Sequence, residues 1–279
     1  MVNFNGVISV LNDKLTVSNR GFLYGDGVFE TVKIVDGRVL FLEDHYFRLM
    51  SGMRIMRMEI PMSLNLEYFD RQLLDTALAS NVGDCARVRM TVFRNEGGFY
   101  LPATNDISYV ITATSEALQL YQHRLADYEV DLYKDYYVTM QLLSTIKSTN
   151  RIINTTGSIY AKENGLQNCL LLNDNKNVIE ALNGNIFMLT GNRLVTPPIS
   201  EGCLKGVMRK QILEIAAKEV GIEVVEEPIS PFDLQKADEL FITNVIIGIQ
   251  PITRYRKKEY VTTLSAQLLD KLNQQIRLS

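Results

Sequence analysis

The stretch Ser144–Arg151 reads S-T-I-K-S-T-N-R. It joins a strand-like run, Y-Y-V-T-M-Q-L-L-S over 136–144, to a helix-like run, R-I-I-N-T-T-G-S-I-Y-A-K-E-N-G over 151–165. Aromatic and β-branched residues favour a strand in the first run. A closing glycine favours a helix end in the second. Lys147 therefore stands where a strand hands over to a helix. A lone lysine is ordinarily a solvated surface residue. A chemical role needs companions: a site for an anion, a carboxylate to pair with a cationic ring, and a fold that gathers them.

Working outward, two α/β patterns flank a change of character near residue 120. Residues 1–118 form a smaller α/β sandwich. F-N-G-V-I-S-V over 4–10 reads as a strand. G-V-F-E-T-V-K-I-V-D-G-R-V-L-F-L over 27–42 reads as a hairpin turning at Asp36–Gly37. A helix follows with Tyr46, Leu49, Met50, Met53 and Met56 near helical spacing, and a second helix closes at Gly83. A strand pair spans the loop N-E-G-G-F-Y-L-P-A-T-N-D over 95–106, a candidate to close a site. A-L-Q-L-Y-Q-H-R-L-A-D over 117–127 crosses into a larger domain, 122–279. There, strands E-V-D-L-Y and Y-V-T-M-Q-L-L precede Lys147. Hairpins follow the Lys147 helix, then a helix closing at Gly221, a strand, and a strand pair bent near Gly248.

Composition narrows the chemistry. The chain has 279 residues, a net charge of −3 and no basic blocks interleaved with aromatics, which argues against nucleic acid as a partner. No apolar run approaches 18 residues and no basic-then-apolar leader opens the chain. The expectation is a cytoplasmic protein with no membrane partner. Cys85, Cys169 and Cys203 are widely spaced and read as reduced thiols. With only His45 and His123, a three-histidine zinc site is impossible and no metal is expected. Neither histidine lies in a hydrolase-like context. Chemistry then falls to a lysine or to a cofactor.

Four pieces supply the companions. Lys147 offers an amine able to join a carbonyl or to move a proton. Glu180, in I-E-A-L-N-G-N-I-F, ends a strand run before Asn183 and Asn185 and can keep a pyridine nitrogen protonated. In G-C-L-K-G-V-M-R, Gly206 precedes a helix, so the Val207 and Met208 N–H groups lie at a helix N-terminus, an anion site by geometry and dipole. In H-Y-F-R-L, His45 and Arg48 share a helix face, and Arg48 can grip a phosphate with two donors. Y-G-D-G over 24–27 lacks the third glycine of a dinucleotide fingerprint and reads as a tight turn.

In this order, with N-R-G-F-L-Y-G-D-G-V-F-E and A-D-E-L-F-I-T-N-V-I-I-G-I-Q-P-I, the pieces resemble the class IV aminotransferase family across nearly the whole chain. That family includes D-amino-acid aminotransferases, branched-chain aminotransferases and 4-amino-4-deoxychorismate lyase. The resemblance implies a mixed α/β, two-domain D-amino-acid-aminotransferase-like fold with a pyridoxal 5'-phosphate cleft between the domains. It also implies a homodimer and a small primary amine as substrate. Lys147 resembles the catalytic, cofactor-bearing lysine, Glu180 the partner of the pyridine nitrogen, and Arg48 the phosphate arginine. Val207 and Met208 resemble its backbone donors, and Asn185 and Asn244 further cofactor contacts. Met208 replaces the family's threonine and Asn244-Val245-Ile246 its small hydroxyl run; both are closest to the lyase pattern. An Arg-x-His carboxylate trap is absent from the 95–106 loop, Phe29 stands where D-amino-acid enzymes have tyrosine, and Phe99 replaces an arginine of some lyases. A substrate carboxylate then needs Arg87, Arg89 or Arg94, the first two on one face of a strand. The expectation is a lyase releasing pyruvate and 4-aminobenzoate. The alternatives are an aminotransferase of D- or branched-chain amino acids and, disfavoured by the presence of both Lys147 and Glu180, a non-catalytic cofactor binder.

Overall fold

Strand β3 (Gly27–Val35) organises the first part of the computed structural model, which describes residues 1–10, 13–117, 120–124 and 126–278. Its nine residues pair antiparallel with β5 (Cys85–Arg94) from Gly27↔Phe93 to Val35↔Cys85, and β5 pairs in turn with β6 (Ile107–Ser115). Together with β1 (Val2–Phe4), β2 (Val7–Ser9) and β4 (Arg38–Val39), they make a six-stranded sheet in the order β2-β1-β6-β5-β3-β4. The run 4–10 is not one strand but the turn and second arm of a hairpin. Asn5 and Gly6 both take positive φ (49° and 87°), as a two-residue primed turn requires. A short helix, α1 (Arg20–Tyr24), precedes β3.

Helices α2 (Leu42–Ile55) and α3 (Leu66–Ala79) cover one face of this sheet. Asn65 caps α3, its side chain accepting from the Tyr68 N–H at 2.8 Å. Leu49, Met50 and Met53 of α2 and Phe69 and Leu73 of α3 are buried with Val28, Val32, Ile34, Val88 and Met90 of the strands. Each such side chain contributes about 1.5–3 kcal/mol.

The chain divides into two compact units. Met1–Leu120 with Ile146–Asn150 form the first, Tyr121–Thr145 with Arg151–Ser279 the second. The split differs from a single boundary between 118 and 122 because residues 146–150 pair with β3. Leu118, Gln119 and Leu125 of the expected crossing, and Ser279, lie outside the described residues.

The second unit holds a ten-stranded mixed sheet. The strand β7 (Glu129–Val138) is continuous, where two strands were expected, and Leu142–Thr145 is a 3₁₀ turn, so Lys147 does not follow a strand directly. Helix α4 (Ile152–Glu163) carries the chain from β7 to its parallel neighbour β8 (Asn168–Asn173), the crossover that parallel pairing demands. Hairpins add β9 (Val178–Ala181), β10 (Gly184–Thr190) and β11 (Arg193–Thr196). Helix α5 (Val207–Ala216) leads to β12 (Glu223–Glu226), parallel to β11. β13 (Glu239–Asn244) pairs with both β10 and β14 (Gly248–Ile252); β15 (Arg254–Tyr255) and β16 (Lys258–Glu259) extend the other edge. Helices α3 and α5 stop at Ala79 and Ala216, short of Gly83 and Gly221. The terminal helix α6 (Thr263–Leu278) buries Leu264, Leu268, Leu269, Leu272 and Ile276, an apolar stripe at helical spacing.

Candidate active site

Lys147 is set by its backbone. The Phe29 N–H donates to the Lys147 carbonyl at 2.8 Å, the Thr149 N–H to the Gly27 carbonyl at 2.9 Å, and Val28 faces Ser148. Thr149 Oγ1 and Asn150 Nδ2 both donate to the Gly25 carbonyl, at 2.8 and 3.0 Å. Extended chain alternates its side chains between two sides. Ile146 joins the core around Val28, and Lys147 emerges on the opposite side, that of Phe29. There Lys147 Nζ lies 4.5 Å from the centroid of the Phe29 ring, and Arg89 Cζ lies 3.6 Å from the same centroid. Each cation is attracted to the ring. Two of them together make a place favourable to an anion.

Arg48 points onto β3 from α2. Its Nε and Nη2 donate to the two oxygens of Glu30, each at 2.6 Å, while His45 Nδ1 stands 2.7 Å from Glu30 Oε2. Glu30 is 1% exposed and His45 fully buried. Burial alone would raise the Glu30 pKa, but the Arg48 guanidinium and His45 outweigh it and bring it down to about 2. Burial holds His45 below its ordinary value, so the ring is neutral and donates from Nδ1; its Nε2 has no hydrogen-bond partner among the described residues. No expectation from the sequence falls on Glu30. Its signal was a carboxylate sharing a strand face with Val28, Val32 and Ile34, where a charge persists only if paired.

The three arginines of β5 separate. Arg87 is exposed and Arg89 half-buried. Arg94 is buried, with Nε on Asp26 (3.0 Å), Nη1 on Asn105 Oδ1 (2.6 Å) and Nη2 on the Met56 carbonyl (2.7 Å). Its fork is engaged in tying loops together, which corrects its candidacy as a substrate cation. Arg20 also holds Asp26 (2.8 Å) and donates to the Gly97 and Phe99 carbonyls, fixing the 95–106 loop while Phe99, Tyr100 and Leu101 stay exposed.

In the second unit, Glu180 on β9, Asn185 on β10 and Thr243 on β13 form one row across neighbouring strands. Glu180 is 6% exposed and its Oε2 accepts the Leu204 N–H at 3.0 Å. Asn185 Nδ2 donates to the Leu204 carbonyl at 2.8 Å. These two bonds fix the approach to α5, which starts at Gly206 without a side-chain cap. A Cβ on Gly206 would lie 2.0 Å from Asn185 Oδ1, so a larger residue there would displace the Asn185 amide. The first N–H groups of α5, among them those of Val207 and Met208, thus have neither a capping side chain nor an intrahelical acceptor. The Thr243 hydroxyl is buried without a hydrogen-bond partner among the described residues. Asn244 Oδ1 accepts from the N–H groups of Ile246 and Ile247, both at 3.0 Å, and its Nδ2 donates to the Asn183 carbonyl at 3.0 Å. The side-chain amides of Asn185 and Asn244, expected as cofactor contacts, are thus engaged on backbone. Burial pushes the Cys203 thiol up to about 12 and Cys169 up to about 11, which leaves both protonated and poor nucleophiles.

A family model, amino-transferase class IV, matches residues 27–255. The chain belongs to the class IV aminotransferases. A Methanocaldococcus jannaschii protein named as a branched-chain-amino-acid aminotransferase is 33% identical over 86% of this chain and 82% of its own length. The D-alanine aminotransferase of Listeria innocua is 28% identical, covering 88% and 86%. Among solved structures, the branched-chain aminotransferase of Thermoproteus uzoniensis superposes with a TM-score of 0.87 at 22% identity, covering 97% of this chain and 92% of that one, so the two share a fold. Aminodeoxychorismate lyases also stand among the relatives and the solved structures. The class IV aminotransferases depend on pyridoxal 5'-phosphate, and a solved neighbour from Thermobaculum terrenum is in its PLP form.

Proposed function

We propose that this class IV aminotransferase homologue binds pyridoxal 5'-phosphate and acts as a 4-amino-4-deoxychorismate lyase. The residues present fit the cofactor. The first unit offers an amine at Lys147 and a guanidinium held by Glu30. The second offers a buried carboxylate at Glu180, an uncapped helix N-terminus at Gly206–Met208 and an unpartnered hydroxyl at Thr243. By family resemblance, Arg48 and the Val207 and Met208 amides would be the phosphate donors, and Glu180 would keep the ring nitrogen protonated. When bound, the cofactor draws off the electron pair left at the substrate's amine-bearing carbon. Lys147 Nζ would take the proton from that carbon and return it to the departing enol.

The observation that carries the lyase reading is Asn244. With its oxygen engaged on the Ile246 and Ile247 amides, the β13–β14 turn does not offer those N–H groups to a carboxylate. A carboxylate set away from the amine, met by a side chain such as Arg89, suits a large acidic amine better than a compact amino acid. The second reading, amino transfer, is favoured by the M. jannaschii relative. The exposed Phe99, Tyr100 and Leu101 on their clamped loop support a homodimer.

The spectrum of the purified protein tests this. A yellow protein that no D- or L-amino acid bleaches, but that releases pyruvate from aminodeoxychorismate, is the expected result. Bleaching by an amino acid would replace the lyase with an aminotransferase and name its substrate class. Lys147→Ala is expected to lose turnover by at least about 10³-fold; full activity in that variant would sink the whole reading.

A further inference from the structure

We propose that Glu30 is a positioning residue for the cofactor phosphate: by gripping Arg48 through Nε and Nη2, its carboxylate fixes the plane and rotation of the guanidinium that receives the phosphate. The inference rests on the reading of Arg48 given under Proposed function.

Glu30 occupies a strand face otherwise given to Val28, Val32 and Ile34, packed beneath α2 and α3. For the fold alone, an apolar residue of similar size would serve as well or better, because a buried ion pair rarely outperforms hydrophobic packing. What the carboxylate adds is direction. Arginine is a rigid planar fork on a flexible stem. Two bonds of 2.6 Å from one edge of the fork to both oxygens of one carboxylate leave a single orientation in the plane, and covalent geometry then turns the Nη1 end away from Glu30. His45 anchors the carboxylate itself through Nδ1 at 2.7 Å, and Glu30 rises from β3, whose backbone also carries Lys147. The guanidinium and the lysine are therefore both registered on one strand, at the adjacent residues Glu30 and Phe29. His45 is neutral, so Glu30 offsets the charge of Arg48 almost one for one. Arg48 then contributes directed N–H donors more than net charge.

Charge and direction predict opposite signs, which makes the proposal testable. Glu30→Gln leaves the site one unit more positive. On charge alone, phosphate binding tightens. On direction, it weakens, because a glutamine amide accepts at one atom only and its NH₂ faces the donors of Arg48. Apo-protein is titrated with pyridoxal phosphate and, separately, with pyridoxal, which carries the same ring and aldehyde without the phosphate. Binding is followed by absorbance and by quenching of tyrosine fluorescence. The expected result is a Kd for pyridoxal phosphate raised about tenfold or more in Glu30→Gln, with the Kd for pyridoxal within about twofold of wild type. Arg48→Lys, which keeps a charge but loses the fork, shows the same split, and the double variant is less affected than the two effects combined. If Glu30→Gln does not fold, Glu30→Asp keeps the charge, shortens the reach and is expected to split the two ligands in the same direction. Equal weakening of both ligands would make Glu30 merely structural and overturn the proposal, as would unchanged or tighter binding of the phosphate. A wild-type protein that binds neither ligand would instead overturn the cofactor reading itself.

Discussion

The two faces of β3 carry charge under different rules. On the helix-covered face, Glu30 has both oxygens bonded to Arg48 and a third contact from His45. Arg94, on the corresponding face of β5, is likewise engaged on Asp26, Asn105 and the Met56 carbonyl. On the other face, Phe29, Thr31 and Lys33 line up opposite Thr91, Arg89 and Arg87, and Lys147 joins them at Phe29. That face brings Lys33, Arg87, Arg89 and Lys147 to one side of one sheet, and Lys33 and Arg87 are directly opposed. Like charges so placed cost stability. Charge enclosed by partners holds geometry, whereas cations of one sign gathered around an aromatic ring suit the reception of an anion. Strand parity alone divides the two sets.

The division breaks most visibly at Arg94. If its role is enclosure, Arg94→Met leaves Asp26 with Arg20 alone and frees the carbonyls it bridged. A loss of about 3 kcal/mol is expected, read as a lower denaturant midpoint at unchanged m-value. Affinity for pyridoxal phosphate in the folded protein should not move. A stable variant with a raised KM would put Arg94 back among the substrate cations.

Much of this was legible in the sequence because the pieces are local. The helix spacing of His45 and Arg48, the hairpins around Glu180 and the glycine before α5 each follow from a period or a turn signal within about ten residues. What escaped depends on pairing between distant segments. From its own neighbours, Lys147 stands between a strand-like and a helix-like run. Its setting comes instead from Phe29 and Gly27, some 120 residues earlier, and no local pattern encodes that pairing. Glu30 gives no local signal of its partners because they arrive from a helix, and the turn of the Asn244 side chain through Ile246 and Ile247 is invisible in composition. Arg94 is separable by strand parity: Arg87 and Arg89 share odd parity on β5, and Arg94 does not.

Acid probes the enclosed face by itself. The Glu30 carboxyl titrates near 2 in the folded protein against 4.5 in its ordinary state. Below 4.5 the unfolded chain takes up a proton that the folded chain refuses. The stabilisation is complete above pH 4.5 and disappears as pH falls from there towards 2, a loss of about 3 kcal/mol. His45, held neutral by burial, acts in the same sense from about 6.5 downwards, since unfolding lets it protonate. Urea midpoints measured from pH 7 to pH 3 should therefore fall for the wild type and fall less steeply for Glu30→Gln. Parallel slopes in the two proteins would show that the cluster is not closed as the geometry has it.

The open face is probed by two neighbours on one strand. Arg89 lies against the Phe29 ring beside Lys147, with Nε on Thr91 Oγ1 at 3.1 Å, while Arg87 stands two residues away and exposed. Removing an arginine that meets a substrate carboxylate costs interactions made in binding and in the transition state alike. Arg89→Gln should lower kcat/KM for an acidic amine by about tenfold, or about 1.4 kcal/mol, mostly through KM, with the cofactor spectrum unchanged. Arg87→Gln, which alters a solvated charge on the same face, should stay within about twofold. Equal losses would mean that the whole face acts as a diffuse positive field, and raising the salt would then erase both. A loss confined to Arg89 and insensitive to salt would mean a directed contact, and the ring of Phe29 would be what holds that arginine in place.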